Sequence, residues 1–189
     1  MKNGILEKSE CKKLENLIKE GFMDYNVRYA SIEDAKELSL LKQRVWDETY
    51  RGIYKDELID NFDYTMSRKK FVKMIENPDL NLYVVESKGE LVGYMSIGAP
   101  HHPYLDYEQE LGLLYIRKDY QKCGIGRDLF ELAKRDVLKN GYNRFIVSCN
   151  KYNDGARKFY EKMGGKLILL DDDAQDKRYP QAKYLCEIK

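Results

Sequence analysis

The stretch Leu113-Leu114-Tyr115-Ile116-Arg117-Lys118-Asp119-Tyr120-Gln121-Lys122-Cys123-Gly124-Ile125-Gly126-Arg127 constrains this chain more than any other. An apolar strand runs into a glycine turn, and a helical pattern follows at once, with Phe130, Ala133 and Val137 at amphipathic spacing. Such a turn exposes backbone N–H groups at a helix N-terminus, where the dipole adds roughly half a positive charge. The result is an anion site suited to a phosphate or pyrophosphate. Glycine is wanted there because a Cβ would obstruct both the turn and the approach of a ligand. Lys122 and Arg127 add positive charge. Two phosphate loops are excluded. The dinucleotide pattern needs glycine or alanine three places after the second glycine, where Leu129 stands, and no stretch reads G-x-x-x-x-G-K-[ST]. A lone G-x-G also fits a purely structural turn.

The rest of the chain places this turn in an α/β domain. Asn26 to Ala30 reads as a strand. Ser31 and Asp34 form a capping-box pattern before a helix marked by Ile32, Ala35, Leu38, Leu41 and Val45. Trp46, Tyr50 and Tyr54 follow in a segment with no clear period. Residues 67–76 read as a helix ending before Asn77-Pro78. Strands over 80–86 and 91–97 flank the hairpin signal Lys88-Gly89. Further strands are expected over 110–117, 144–149, 166–170 and 184–188. Helices are expected over 124–138 and 154–163, the second with Ala156, Phe159, Tyr160 and Met163 on one stripe. The order β-α-α-ββ-β-α-β-α-β-β implies a mixed sheet, with antiparallel hairpins first and helix-linked strands later. Residues 1–25 read as a helical appendage, with Ser9 as a cap, Leu14, Leu17 and Ile18 on one face and a stop near Gly21. Residues 26–189 form the domain proper.

Composition narrows the function classes. The 33 basic and 32 acidic residues give a net charge of +1, without the basic excess of a dedicated nucleic-acid binder. No apolar run approaches the ~20 residues of a membrane span. The N-terminus has no apolar stretch of signal-peptide length. Cys11, Cys123, Cys149 and Cys186 form no Cys-x-x-Cys pair, which disfavours a zinc site. In a chain that is neither small nor loop-rich, they are expected to be reduced thiols of a cytoplasmic protein.

Two motifs, in order and with fitting separation, resemble those of the GNAT (GCN5-related) N-acyltransferase superfamily. Gln121-x-x-Gly124-x-Gly126 after Tyr115-Ile116 is similar to its coenzyme-A pyrophosphate loop. Asn153-Asp154-Gly155-Ala156-Arg157-Lys158-Phe159-Tyr160-Glu161-Lys162-Met163-Gly164-Gly165 is similar to its N-x-x-A-x-x-F-Y-E-K-x-G element. The resemblance extends more loosely from about Val27 to the C-terminus, and Trp46-Asp47-Glu48-Thr49-Tyr50-Arg51-Gly52 looks like a segment of many bacterial members. It implies the GNAT fold, a mixed central sheet of about six to seven strands flanked by helices. It also implies direct transfer of an acetyl group from acetyl-CoA to a primary amine in a ternary complex.

Site residues follow from the resemblance residue by residue. The strand before the turn would splay from its neighbour and hold the pantetheine arm through the backbone of Leu114, Tyr115 and Ile116. An N–H near Tyr115 or Ile116 would polarise the thioester carbonyl, a contribution of up to ~3–4 kcal/mol per donor in other enzymes. Gln121, Lys122, Cys123, Gly124, Ile125, Gly126 and Arg127 would surround the pyrophosphate, while Asn153, Ala156 and Phe159 would line the cofactor's pantetheine side. Glu110, eleven residues before Gln121, would take the amine's proton. A solvated strand-end acid is the plainer reading, and many small-molecule members use water chains instead. Tyr160 would be the general acid for the departing thiolate, although its apolar stripe also fits simple packing.

Other groups carry less. Trp46, Tyr50 and Tyr54 would wall the acceptor pocket or pack in the core. His101-His102 reads as a solvated loop, with no metal expected. Asp171-Asp172-Asp173 with Asp176 fits a solvated turn or an attractor of cationic acceptors. The expected acceptor is a small amine or polyamine ahead of a peptide, and the family implies a homodimer. The rival reading is a non-catalytic acyl-CoA-binding sensor of the same fold.

Overall fold

Strand pairing begins where the sequence first alternates. The computed structural model describes residues 24–101, 104–171 and 180–188. β1 (Asn26–Tyr29), β2 (Leu80–Ser87), β3 (Glu90–Gly98) and β4 (Glu110–Ile116) pair in sequence order, each antiparallel to the next. β5 (Arg144–Asn150) is parallel to β4, and β7 (Gln181–Glu187) and β6 (Lys166–Leu170) complete a seven-stranded sheet in the order β1-β2-β3-β4-β5-β7-β6. The mixed sheet of the expected topology is therefore present. Lys88 and Gly89 both take positive φ, 53° and 78°, which suits the twist of a two-residue hairpin turn.

Helices cover both faces. A 3-10 turn, Ile32–Asp34, leads into α1 (Ala35–Tyr50). Asp34 Oδ2 accepts the Ser31 N–H at 2.7 Å, and the Arg28 guanidinium beside it holds the Asp34 carboxyl below the usual carboxylate range. α1 and α3 (Tyr64–Glu76) bury Leu38, Leu41, Val45 and Phe71 against Leu82, Val84, Leu91 and Tyr94. α4 (Ile125–Lys139) and α5 (Asp154–Lys162) lie with the other core, which holds Tyr83, Met95, Ile97, Leu111, Leu129, Phe130, Phe145, Val147 and Tyr160.

Two local expectations, for Ile32 and for the start of β7, are corrected, and one short helix is an element the sequence reading did not place. Ile32, placed on the apolar stripe, is half exposed because it belongs to the 3-10 turn and not to the helix proper. α2 (Asp56–Asp60) has no apolar period. Ion pairs hold it, since Arg51 reaches Asp47, Asp56 at 3.2 Å and Asp60 at 2.9 Å. β7 starts at Gln181, three residues ahead of the expected Tyr184, and Ala182, Tyr184 and Cys186 then alternate inward. The expected N-terminal helix, His102 and the acidic positions 172, 173 and 176 lie outside the described residues.

Lys42 on α1 is partly buried, with Nζ 4.9 Å from the Trp46 ring centre and 5.8 Å from that of Phe71. Burial lowers its pKa to about 8, with a smaller contribution from Lys70. The folded state therefore binds the proton less tightly than the unfolded chain, whose lysine titrates near 10.4. Between pH 8 and about 9.5, below the range where tyrosines ionise, stability should rise with pH from this group. The buried Cys149 and Cys186 thiols, raised by burial, lower stability with pH in both proteins over this window, so in denaturant titrations the stability of wild type relative to Lys42→Met should rise from pH 8 to about 9.5. Parallel curves would mean that Lys42 is solvated in the folded state.

Candidate active site

β4 and β5 are paired at two positions only, Glu110 with Ile146 and Leu111 with Val147, and then diverge. Gly112 of β4 is the extra residue of a bulge opposite the Ser96–Ile97 step of β3. It restores Glu110 and Leu113 to one face, the side of α1 and α3, while Leu111 and Leu114 belong to the core under α4 and α5. Arg117 N donates to Val92 O at 2.9 Å, and Tyr94 faces Tyr115 in the same register. Alternation then directs the N–H groups of Leu114 and Ile116 away from β3 and into the divergence, while those of Tyr115 serve the β3 ladder. A slot lined by the N–H groups of Leu114 and Ile116 opens along the end of β4. From Leu113 to Ile116 the strand is only partly buried.

The slot leads to the glycine turn. Gly124 caps α4 at φ +100°, a left-handed conformation that favours glycine, and a Cβ there would meet nothing within 4 Å. The first helical bond runs from Asp128 N to Gly124 O. The N–H groups of Ile125, Gly126 and Arg127 precede it and have no carbonyl within the helix. Lys122, at φ +63°, and Arg127 are exposed at this mouth. Gln121 Nε2 reaches back to Ile116 O at 2.9 Å, and Cys123 Sγ lies 2.7 Å from Tyr120 O. At Gly126 a Cβ would stand 3.3 Å from the Phe159 ring and 3.5 Å from Ile116 Cδ1, so the helix start, the strand end and α5 meet where only a hydrogen fits easily. An open cradle of donors beside two cations fits an extended phosphate-bearing ligand.

Beneath the slot, Tyr160 of α5 is buried at 5% exposure, edge-on to Phe159 and 6.0 Å from the Tyr184 ring. Burial pushes its phenol well above the usual value, and the nearby Cys149 and Tyr115 act in the same direction. Cys149 is itself raised to about 11 by burial. Asn153 caps α5 through Oδ1, which accepts the Ala156 N–H at 3.0 Å. Ala156 and Phe159 are partly buried against the same core.

Above the slot stands an aromatic wall. Trp46 meets Tyr50 and Tyr54 at 5.7 and 6.2 Å, and Tyr50 and Tyr54 stack at 4.4 Å. Tyr50 Oη and Tyr115 Oη share a hydrogen bond of 2.9 Å across 65 residues of sequence. Burial raises both phenols, Tyr115 to about 12. Glu110 is half-buried on this same face. Trp46, Tyr50, Tyr54 and Glu110 thus lie on one face of the sheet, and Tyr160 on the other.

Two features here have no sequence signal. Glu48 Oε2 accepts the Lys118 N–H at 2.8 Å, tying the end of α1 to the loop before the glycine turn. Asn150, the last residue of β5, is 4% exposed, and among the described residues its Nδ2 has no hydrogen-bond partner.

Comparison with known proteins gives this geometry a family. Residues 50–172 match the family described as the acetyltransferase (GNAT) domain. The spermidine N(1)-acetyltransferase of Thermoplasma acidophilum is 28% identical over 160 residues, covering 83% of this chain and 99% of that protein. The uncharacterised N-acetyltransferase YuaI of Bacillus subtilis is 26% identical, covering 77% and 83%. Among solved structures, the PaiA N-acetyltransferase of Thermoplasma acidophilum in complex with coenzyme A superimposes with a TM-score of 0.72 at 24% identity, over 87% of this chain and 99% of that one. An acetyltransferase of Thermus thermophilus gives 0.66 at 17%, over 89% and 99%. With its seven-stranded mixed sheet and a family match over most of its length, the chain belongs to the GNAT acetyltransferases, enzymes that depend on acetyl-CoA.

Proposed function

We propose that this enzyme transfers an acetyl group from acetyl-CoA to a primary amine on a small molecule, by direct attack in a ternary complex and without an acyl-enzyme. The slot between β4 and β5, ending at the Gly124 cradle, carries this reading. Its free backbone groups suit the amides of a pantetheine arm, and the helix start suits a pyrophosphate. In this reading the cofactor contacts come from the Leu114 and Ile116 backbone, Lys122, the Ile125, Gly126 and Arg127 N–H groups, Asn153, Ala156 and Phe159. Gln121 and Cys123 shape the turn. The relative named for spermidine acts on a small amine, which supports a small acceptor ahead of a protein. A homodimer is part of the proposal, and the exposed Leu167 and Leu170 on edge strand β6 offer it a face.

The chemistry follows from the placement. An alkylammonium with a pKa of about 10 must lose a proton before its lone pair can attack. Glu110, on the face where the amine would enter, takes that proton directly or through water. The Leu114 or Ile116 N–H stabilises charge developing on the thioester oxygen. Tyr160, kept protonated by burial, donates a hydrogen bond to the departing thiolate. A non-catalytic sensor would use the slot and the cradle but has no use for a buried phenol on one side and a carboxylate on the other.

Calorimetric titration with acetyl-CoA should give saturable binding where NADH and ATP give none; no acetyl-CoA binding would make the turn structural. Gly124→Glu places a carboxylate in the cradle and should weaken acetyl-CoA at least tenfold. Unchanged affinity would remove the pyrophosphate from this turn. Tyr160→Phe should lower kcat about 10–100-fold with acetyl-CoA affinity preserved. An unchanged kcat with chemistry rate-limiting would leave Tyr160 a packing residue.

A further inference from the structure

Among the described residues, the Asn150 carboxamide is a buried polar side chain beside the slot with one end unpaired. It is 4% exposed, and among the described residues Nδ2 has no hydrogen-bond partner. Oδ1 accepts the Tyr152 N–H at 2.9 Å, a bond only the oxygen can make, so chemistry fixes which end is free. A buried N–H left unpaired carries its full desolvation penalty, and such exceptions in a native fold point to a missing partner.

Its position says what that partner touches. Asn150 lies four residues beyond Ile146, the partner of Glu110, and so beside the stretch of β4 that has diverged. Phe145, Val147 and Cys149 point into the core under α4 and α5. Ser148 and Asn150 therefore alternate onto the other face, that of Glu110, Tyr50 and Tyr115. Next to them, Lys183 Nζ donates to Ser148 Oγ at 2.9 Å and lies 5.0 Å from the Tyr104 ring centre. This side of the acceptor groove thus offers an amide donor and an ammonium. A protonated polyamine brings only N–H donors and positive charge, so it would set donor against donor and cation against cation.

We infer that Asn150 is a specificity residue of the acceptor site, and that the preferred acceptor is a primary amine carrying a carbonyl, hydroxyl or carboxylate oxygen near its reacting nitrogen, in preference to a polyamine. The inference rests on the proposed acetyl transfer and deepens it. The oxygen completes the hydrogen bonding of Nδ2, and an amine without one leaves the donor buried and unpaired. A site built around such a bond discriminates strongly against analogues that lack it.

The test uses the full chain, acetyl-CoA and release of free thiol, with glycinamide and glucosamine set against propylamine and spermidine. Each variant is expressed as a ratio to wild type on the same acceptor, so differences in amine pKa cancel. Asn150→Ala should lose tenfold or more in kcat/KM on the oxygen-bearing amines and less than twofold on propylamine, with acetyl-CoA affinity unchanged. Asn150→Asp keeps the oxygen that holds the Tyr152 N–H and replaces the donor with an acceptor. It should shift preference towards spermidine, and it decides the matter if the alanine variant fails to fold. A uniform loss on every acceptor, an equal weakening of acetyl-CoA binding, or a wild-type preference for spermidine would overturn the inference and leave the transfer reaction standing. Acetyl-CoA binding with no amine turned over by wild type would overturn both.

Discussion

Everything in this site depends on two parallel strands that stop pairing early. β4 and β5 share the Glu110–Ile146 and Leu111–Val147 positions and nothing beyond. A continuous ladder would satisfy every backbone group, and buried groups are ordinarily paired. Here Leu114 and Ile116 leave theirs directed between the strands, in a stretch that is only partly buried. The opening is built into the packing. The bulge at Gly112 increases the local twist of β4. Ile116 then lies beside Gly126 at the start of α4, where the Phe159 ring of α5 also closes in.

An open slot needs rigid walls, and ionic and hydrogen-bonded braces supply them. Arg117, 9% exposed, pairs with Glu90 at 2.8 Å and Asp119 at 2.7 Å, fixing the chain as it leaves β4. Glu48 receives the next backbone N–H, from Lys118. The aromatic wall at the end of α1 and the loop feeding the glycine turn are thereby held by one carboxylate. Displacement of α1 would move both sides of the site together. On the opposite face, Asp128 in the first turn of α4 accepts the Tyr25 hydroxyl at 2.5 Å, anchoring the helix start to the chain ahead of β1.

The parts of this architecture visible in the sequence are those whose physics is local. A glycine at φ +100° before a helix, a hairpin turn at Lys88-Gly89 and the stripe of α5 each depend on neighbouring residues, and each can be read from the chain. The succession of strands and helices rests on the same short-range periodicities. What escaped depends on separation or on charge. Tyr50 and Tyr115 meet across 65 residues, and Glu48 and Lys118 across 70. α2 is held by Arg51 ion pairs and has no apolar period to reveal it. Asn150 looks like any polar residue at a strand end. Only the divergence of β4 and the bond from Tyr152 make its other nitrogen conspicuous.

The two sheet faces also divide the electrostatics. The core side holds Tyr160 and Cys149, both raised by burial, in an environment that resists charge. In the proposed role this limits what Tyr160 does. A coenzyme thiol with a pKa near a cysteine's, roughly 8.5, is far less basic as a thiolate than a phenolate whose pKa lies well above 10. Complete proton transfer from Tyr160 would run uphill. A short hydrogen bond to the departing sulfur does not need that transfer, and it is strongest when the acceptor is charged and the surroundings are dry. Net proton release then falls to the other face, where Glu110 lies half-buried within reach of solvent. In the proposed mechanism, splitting donor and base across the sheet would let each group keep the environment its task requires.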